Sequence, residues 1–187
     1  MATVNTTTKQ GERSQDILSY FLNNRRTVFL EGEIKDENAM DIVQQLVYLD
    51  SAGTDDVVMY INSPGGSVAA GFAVYDTMKA MKCDVVTIGC GMAASMGAVI
   101  LSSGTKGKRY AQKHCGIMLH QVIGGAYGQA SDVEIAVQNI KKVKTAINEI
   151  LAENTGHSLE EIARDTDRDY HMSAEEAKAY GLIDGVK

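Results

Sequence analysis

The residues best suited to covalent chemistry lie in segment 91–97 (GMAASMG), where Ser95 stands among small side chains between an apolar strand and a small-residue helix. The first N–H groups of a helix are unpaired and carry the positive end of its dipole, so they can stabilise an oxyanion beside a nucleophile. Small neighbours also let a substrate approach the hydroxyl. The same pattern fits an N-capping serine, the commoner use of serine at a helix start. Ser95 is therefore a candidate nucleophile that needs support from other residues.

A nucleophilic serine needs a base, and the chain has four histidines: His114, His120, His157 and His171. His120 ends an apolar strand and precedes the glycine-rich loop at 124–125, a position that active-site residues favour in α/β folds. A single histidine at a strand end is still more often structural. His157 is expected to be exposed and His171 to lie in a charged loop. A carboxylate would have to hold the imidazole tautomer, and spacing alone leaves that choice open.

A second glycine-rich turn, 62–66 (NSPGG), follows another apolar strand and contains the only proline. Two glycines allow close approach of the backbone to a ligand, so the N–H of Gly66 could serve as a second oxyanion donor. A tight turn into a helix explains the same residues equally well.

Composition excludes several classes of function. The net charge of −6 and pI near 5.2 argue against nucleic acid as a partner. Three cysteines without a CxxC spacing indicate structural thiols in a reducing compartment. The Thr-rich start lacks the apolar stretch of a secretory signal, and no apolar run approaches the roughly 20 residues of a membrane span, which predicts a cytoplasmic protein. The chain lacks metal-ligand spacings and a P-loop, and the G-x-G-x-x-A match at 89–94 lacks its acidic partner, so no cofactor or metal is predicted.

The hydrophobic pattern predicts strands alternating with helices in a single α/β domain over 1–187. The expected strands are 27–34, 57–62, 85–91 and 116–121, and the expected helices are 38–50, 67–81 and 94–103. A capping box at 131–134 predicts the start of a long helix that ends at Gly156. Two further capping boxes begin at Ser158 and Ser173, and the last helix is expected to stop at Gly181.

Four segments closely resemble, in order and spacing, the ClpP family, the proteolytic subunits of ATP-dependent Clp proteases. They are 60–66 (YINSPGG), 91–98 (GMAASMGA), 118–121 (MLHQ) and 164–169 (RDTDRD), and 11–14 (GERS) is similar as well. The likeness extends from about 11 to 186. It implies a serine endopeptidase with Ser95 as nucleophile, His120 as base and Asp169 as the residue that orients the base. It also implies that the backbone N–H groups of Gly66 and Met96 form the oxyanion hole.

The resemblance further implies a crotonase-like fold of repeated ββα units and a homo-oligomer of two stacked heptameric rings. Segment 121–155 would form a protruding handle, and 1–16 a flexible axial segment. The ring contact would involve Gln129, Asp132, Asp167 and Arg168. A ring contact so close to Asp169 suggests that assembly aligns the triad.

Unfolded proteins would be fed by a partner AAA+ ATPase, which alone would use ATP. That ATPase would dock on positions matched by Val58, Tyr60, Ile88 and Tyr110.

Three departures from the family pattern concern the partners rather than the triad. Val122 replaces the usual proline after His-Gln, the N-terminal segment is polar, and the chain stops at Lys187. They leave room for a mixed complex with a second ClpP-type subunit.

Two alternatives to an active peptidase stay open. One is a non-catalytic or partner-activated subunit of a mixed ring. The other is a crotonase-type acyl-CoA enzyme, which usually uses acidic residues near the acyl group, whereas segment 85–131 contains none.

Overall fold

The computed structural model describes residues 2–8 and 11–187. The chain starts with an antiparallel hairpin of β1 (Thr3–Thr8) and β2 (Gly11–Asp16), followed by helix α1 (Ile17–Arg25). The Asp16 carboxylate caps α1 by accepting a hydrogen bond from the Ser19 N–H at 2.9 Å. The hairpin lies within the 1–16 segment for which the sequence predicts flexibility, and that mobility stays a prediction.

A mostly parallel sheet follows, with order β3-β4-β5-β6-β9 in the described part of the chain. Strand β7 pairs in parallel with β5, and β8 pairs antiparallel with β7. The strands are β3 (Thr27–Glu31), β4 (Val57–Ser63), β5 (Val85–Ala94), β6 (Arg109–Ala111), β7 (Gly116–Leu119), β8 (Tyr170–Met172) and β9 (Gly185–Val186).

Helices connect these strands and enclose the core. They are α2 (Asp36–Ala52), α3 (Val68–Ala80), α4 (Met96–Ser102), α5 (Ala130–Thr155), α6 (Leu159–Asp165) and α7 (Ala174–Ala179). Parallel strands need such crossovers, and helices cover the sheet because apolar strands must bury their faces. Every residue of α4 is buried, and the helix contacts α3, α5 and the central strands. Helix α5 has only Ile147, Asn148 and Leu151 buried among its described residues, so most of its length projects from the domain.

Strand β5 changes neighbours along its length. Residues 87–89 pair with β6, whereas residues 92–94 pair with β7. Between them Gly91 has a φ of +71°, and a Cβ there would lie 2.9 Å from Asn62 Oδ1. Glycine therefore permits the change of partner, which brings the end of β5 beside the end of β7.

The predicted α/β fold is confirmed, and the predicted helices and strands are present with shifts of a few residues at their ends. The capping box at 131–134 was wrong, because α5 begins at Ala130 after Gln129, with no side-chain cap. Both other capping boxes are present. The pattern missed the strands β1, β2, β6, β8 and β9 and the helix α1. No described helix combines the length and apolar character of a membrane span.

Candidate active site

Ser95 occupies the turn between β5 and α4 in a strained backbone conformation. Its φ of 52° and ψ of −125° are unusual for a residue with a side chain, and such strain costs about 1–3 kcal/mol. Neighbouring contacts hold it there. The Ser95 N–H donates to the Met118 carbonyl at 2.8 Å, and the Ser95 carbonyl accepts from the N–H groups of Ala98 and Val99. A sharp strand-to-helix turn that presents a serine is a known arrangement of nucleophiles in hydrolases.

The glycine turn after β4 packs directly against Ser95. A Cβ at Gly65 would lie 2.6 Å from Ser95 Cβ, so only glycine fits this position without displacing the serine. The buried Ser63 holds the turn in place, since its hydroxyl donates to the Gly32 carbonyl at 2.6 Å and accepts from the Gly65 N–H at 3.1 Å. The next glycine, Gly66, forms a parallel bridge with Ile34, to which a Cβ at Gly66 would come within 2.3 Å.

Two backbone N–H groups near Ser95 have no acceptor in the part of the chain that the structure describes. They belong to Gly66 and to Met96, the first residue of α4. Both residues line the same cleft as Ser95. Unpaired N–H donors beside a nucleophile are what an oxyanion hole requires.

The cleft in front of Ser95 encloses about 240 Å³ and is lined largely by apolar side chains. Val68, Met96, Val99, Ile147 and Leu151 are among the residues of this apolar lining. His120 and Gln121 contribute its polar side chains. Such a cleft suits an apolar side chain of a substrate and excludes water from part of the site.

His120 lies directly after β7 and borders both this cleft and a neighbouring one. The second cleft is also lined by Asp167, Arg168 and Asp169. The fold thus brings Ser95 and His120 to one cleft, and His120 and Asp169 to the next. Within the described residues no hydrogen bond joins the side chains of Ser95, His120 and Asp169, so the predicted triad stays a prediction: its members border neighbouring clefts but are not connected in the single chain.

The end of α6 and the loop that follows it carry three aspartates with different surroundings. Asp165 accepts a hydrogen bond from the Tyr180 hydroxyl at 2.9 Å. The pKa of Tyr180 is raised, mainly by burial and further by the Asp165 carboxylate, so the hydroxyl stays a donor. Asp167 accepts from Gln121. Asp169 is exposed and has no side-chain partner among the described residues, so it is the aspartate left available to an imidazole.

A comparison with protein families decides what kind of molecule this is. The model of the Clp protease family matches residues 9–187. The chain belongs to the Clp protease family. It is a ClpP-type proteolytic subunit, and its α/β fold with a mostly parallel sheet agrees with that family. Members of the family are peptidases that generally form oligomeric rings and work with AAA+ partners.

The positions that the resemblance assigned to ATPase docking lie on neighbouring strands of this Clp protease chain. Tyr60, Ile88 and Tyr110 are aligned across β4, β5 and β6, and Val58 is two residues before Tyr60. Phe29 continues this row on β3, stacked on Tyr60 with ring centroids 5.6 Å apart. Phe29 was not predicted as part of this surface, although its place in a strand of alternating pattern was a usable signal.

The residues predicted for a ring contact fall into two groups. Gln129 and Asp132 are exposed at the start of α5, while Asp167 and Arg168 are exposed in the loop before β8. The prediction that His171 lies in a charged loop was wrong, because the residue belongs to β8 and pairs with Met118. His157 is half-buried against Tyr180 rather than exposed.

The thiols and the remaining acidic groups suggest no second chemistry. Burial raises the pKa of the Cys115 thiol to about 11, so it stays protonated at neutral pH. In the described ranges, no cluster of three or more His, Cys, Asp or Glu residues could hold a metal ion.

Proposed function

We propose that the chain is the proteolytic subunit of an ATP-dependent Clp protease and a serine endopeptidase. The observation that carries this is the strained turn at Ser95, which faces two unpaired backbone N–H groups in a cleft shared with His120. Strain of this kind persists where the surrounding structure imposes it, and it concentrates at active sites.

The chemistry follows from these positions. Ser95 Oγ attacks the carbonyl carbon of the scissile peptide bond as its proton passes to His120. The N–H groups of Gly66 and Met96 donate to the oxyanion that forms. His120 then returns the proton to the leaving amine, which gives an acyl-enzyme. Water, activated by His120, hydrolyses the acyl-enzyme. Asp169 holds the imidazole tautomer and stabilises the imidazolium during each step.

Assembly is proposed to complete the triad. In the single chain Asp169 is exposed and unconnected to His120, and the loop that carries it also carries Asp167 and Arg168. Two stacked heptameric rings that meet through Gln129, Asp132, Asp167 and Arg168 would fix this loop. We expect Arg168→Ala to yield single rings with poor peptidase activity. Full activity in isolated single rings would contradict the proposal.

The substrates proposed are unfolded chains delivered by a partner AAA+ ATPase, which alone uses ATP. In this row Tyr60 and Tyr110, with Val58 beside Tyr60, offer partly exposed aromatic and apolar surface to such a partner, whereas Ile88 between the two tyrosines is buried. The apolar, open cleft at Ser95 favours a permissive endopeptidase.

The unconnected triad also supports a second candidate, a subunit activated by a second ClpP-type subunit in a mixed ring. By contrast, no acidic side chain among the described residues lines the Ser95 cleft, so an acyl-CoA enzyme is not proposed.

A fluorophosphonate probe tests the proposal, with the labelled residue identified by mass spectrometry and Ser95→Ala as control. Labelling at Ser95 alone is the expected result. Labelling only after a second ClpP-type subunit is added would favour the mixed ring. A protein that stays unlabelled both alone and with partner subunits refutes the peptidase proposal.

A further inference from the structure

Gln121 connects three segments around the proposed triad. Its side-chain amide donates to the Asp167 carbonyl at 2.9 Å and to Asp167 Oδ1 at 3.3 Å. Its Oε1 accepts from Lys144 Nζ at 3.0 Å. The three residues come from the segment after β7, from the loop before β8 and from α5.

The chemistry of Lys144 determines which way the amide points. An ammonium group donates and cannot accept, so the oxygen of Gln121 has to face Lys144. The NH₂ group is then directed at Asp167, where both contacts are acceptors. Lys144 therefore sets the orientation in which Gln121 can bind the loop.

These contacts join the two segments that carry the base and its orienting carboxylate. Gln121 directly follows His120 in the chain, and Asp167 precedes Asp169 by two residues. Because the carbonyl of Asp167 is held as well as its side chain, the backbone at Asp167 is tied to the segment that directly follows His120, whereas Asp169 itself makes no such contact with the described residues. Arg168 does not replace this link, since it is exposed and its Nε is 3.9 Å from Asp167 Oδ2.

We propose that Gln121 is a positioning residue that sets the separation of His120 and Asp169, and that Lys144 on α5 orients it. This inference rests on the proposed serine peptidase function. It assigns to α5, the long helix of the handle, a direct chemical connection to the active site through one side chain.

The experiment compares variants of the assembled protein by kcat and KM on a short fluorogenic peptide, with size-exclusion and thermal unfolding as checks of assembly and fold. Gln121→Met removes the amide at similar volume. We expect kcat to fall about ten- to a hundredfold, because misplacement of the triad by about 1 Å has that effect. KM should change by no more than about twofold, because Gln121 also lines the cleft but methionine replaces it at similar volume in a largely apolar lining.

Lys144→Glu provides a second test that leaves Gln121 in place. A carboxylate accepts only, so it should turn the amide round and present oxygen to the Asp167 carbonyl. We expect Lys144→Glu to lose about as much kcat as Gln121→Met. Lys144→Arg should keep the wild-type kcat, because arginine, like lysine, is only a donor. The matched control is Lys142→Glu, the same charge change at an exposed position of α5. The double variant Gln121→Met with Lys144→Glu should be no slower than Gln121→Met alone.

Any one of three results would overturn the inference while the proposed peptidase stands. The first is an unchanged kcat in Gln121→Met, and the second is an equal loss of kcat in Lys144→Glu and Lys142→Glu. The third is a loss of kcat in the double variant equal to the product of the two single losses. If Gln121→Met fails to fold, the Lys144 series decides. A wild-type protein that reacts with no fluorophosphonate, alone or with partner subunits, overturns the proposed function and this inference with it.

Discussion

Replacing Gly65 with alanine tests how closely the glycine turn and the proposed nucleophile depend on each other. The new Cβ would lie 2.6 Å from Ser95 Cβ, 2.8 Å from the Ala94 carbonyl oxygen and 3.0 Å from the Met96 nitrogen. Carbon atoms in ordinary contact are about 3.5–4.0 Å apart, so Ser95 or the turn has to move by about 1 Å. The reactivity of Ser95 should then fall about a hundredfold.

Backbone strain must be separated from this displacement. Gly65 has a φ of +92°, where a side chain costs about 1–2 kcal/mol of stability. Gly107 has nearly the same φ, +88°, and a Cβ there meets nothing within 4 Å. Gly107→Ala should therefore lose similar stability from strain but keep the reactivity of Ser95.

The assay is the second-order rate constant of fluorophosphonate labelling at Ser95, measured beside the thermal midpoint of each variant. We expect slow labelling in Gly65→Ala and ordinary labelling in Gly107→Ala. Equal labelling rates in the two variants would refute the argument that the turn positions the nucleophile.

Three further predictions concern stability. Ser63→Ala removes the hydroxyl that bonds the buried Gly65 N–H and the Gly32 carbonyl, so it should cost about 1–3 kcal/mol in denaturant unfolding and slow labelling of the active site; wild-type stability would contradict this. Tyr180→Phe removes the hydrogen bond to Asp165 and should lower stability by about 1–2 kcal/mol with the ring contacts kept; no change in the urea midpoint would count against it. Burial alone would raise the pKa of Asp184, but hydrogen bonds and charge from the buried Arg109 outweigh it and hold that pKa below its ordinary value of 3.8. The stability from this pair is thus present above about pH 4 and lost as pH falls through the lowered pKa. Asp184→Asn should therefore flatten the dependence of unfolding free energy on pH below about pH 4. Parallel curves for the wild type and the variant would exclude the effect.

Local signals in the sequence predicted much of this arrangement. The turns at 62–66 and 91–97 are marked by glycine and small residues, and the structure places them against each other. The capping boxes at Ser158 and Ser173 are present because their bonds span only three residues, so that sequence spacing alone determines them. At Ser131 the same pattern predicted a cap that is absent, because α5 already begins at Ala130 and no side chain caps it.

Contacts between distant residues could not be read from local patterns. Strands β8 and β9 have three and two residues and exist because β7 and β6 offer them partners. The bonds of Gln121 to Asp167 and from Lys144 span 46 and 23 positions, with no periodic signal. Spacing also could not choose among the aspartates at 165, 167 and 169, whereas their different hydrogen-bond partners separate them in space.

Segment 121–155, which the sequence predicts to be a protruding handle, exposes several large apolar side chains. Ile123 is 81% and Tyr127 fully exposed, and Ile135 and Val137 on α5 are 57% and 43% exposed. If assembly buries these side chains, it couples subunit binding to folding by mass action. A dilute pool of single chains would then be less stable and more prone to aggregation than the assembled protein. The thermal midpoint should rise with protein concentration, and variants are comparable only at equal concentration.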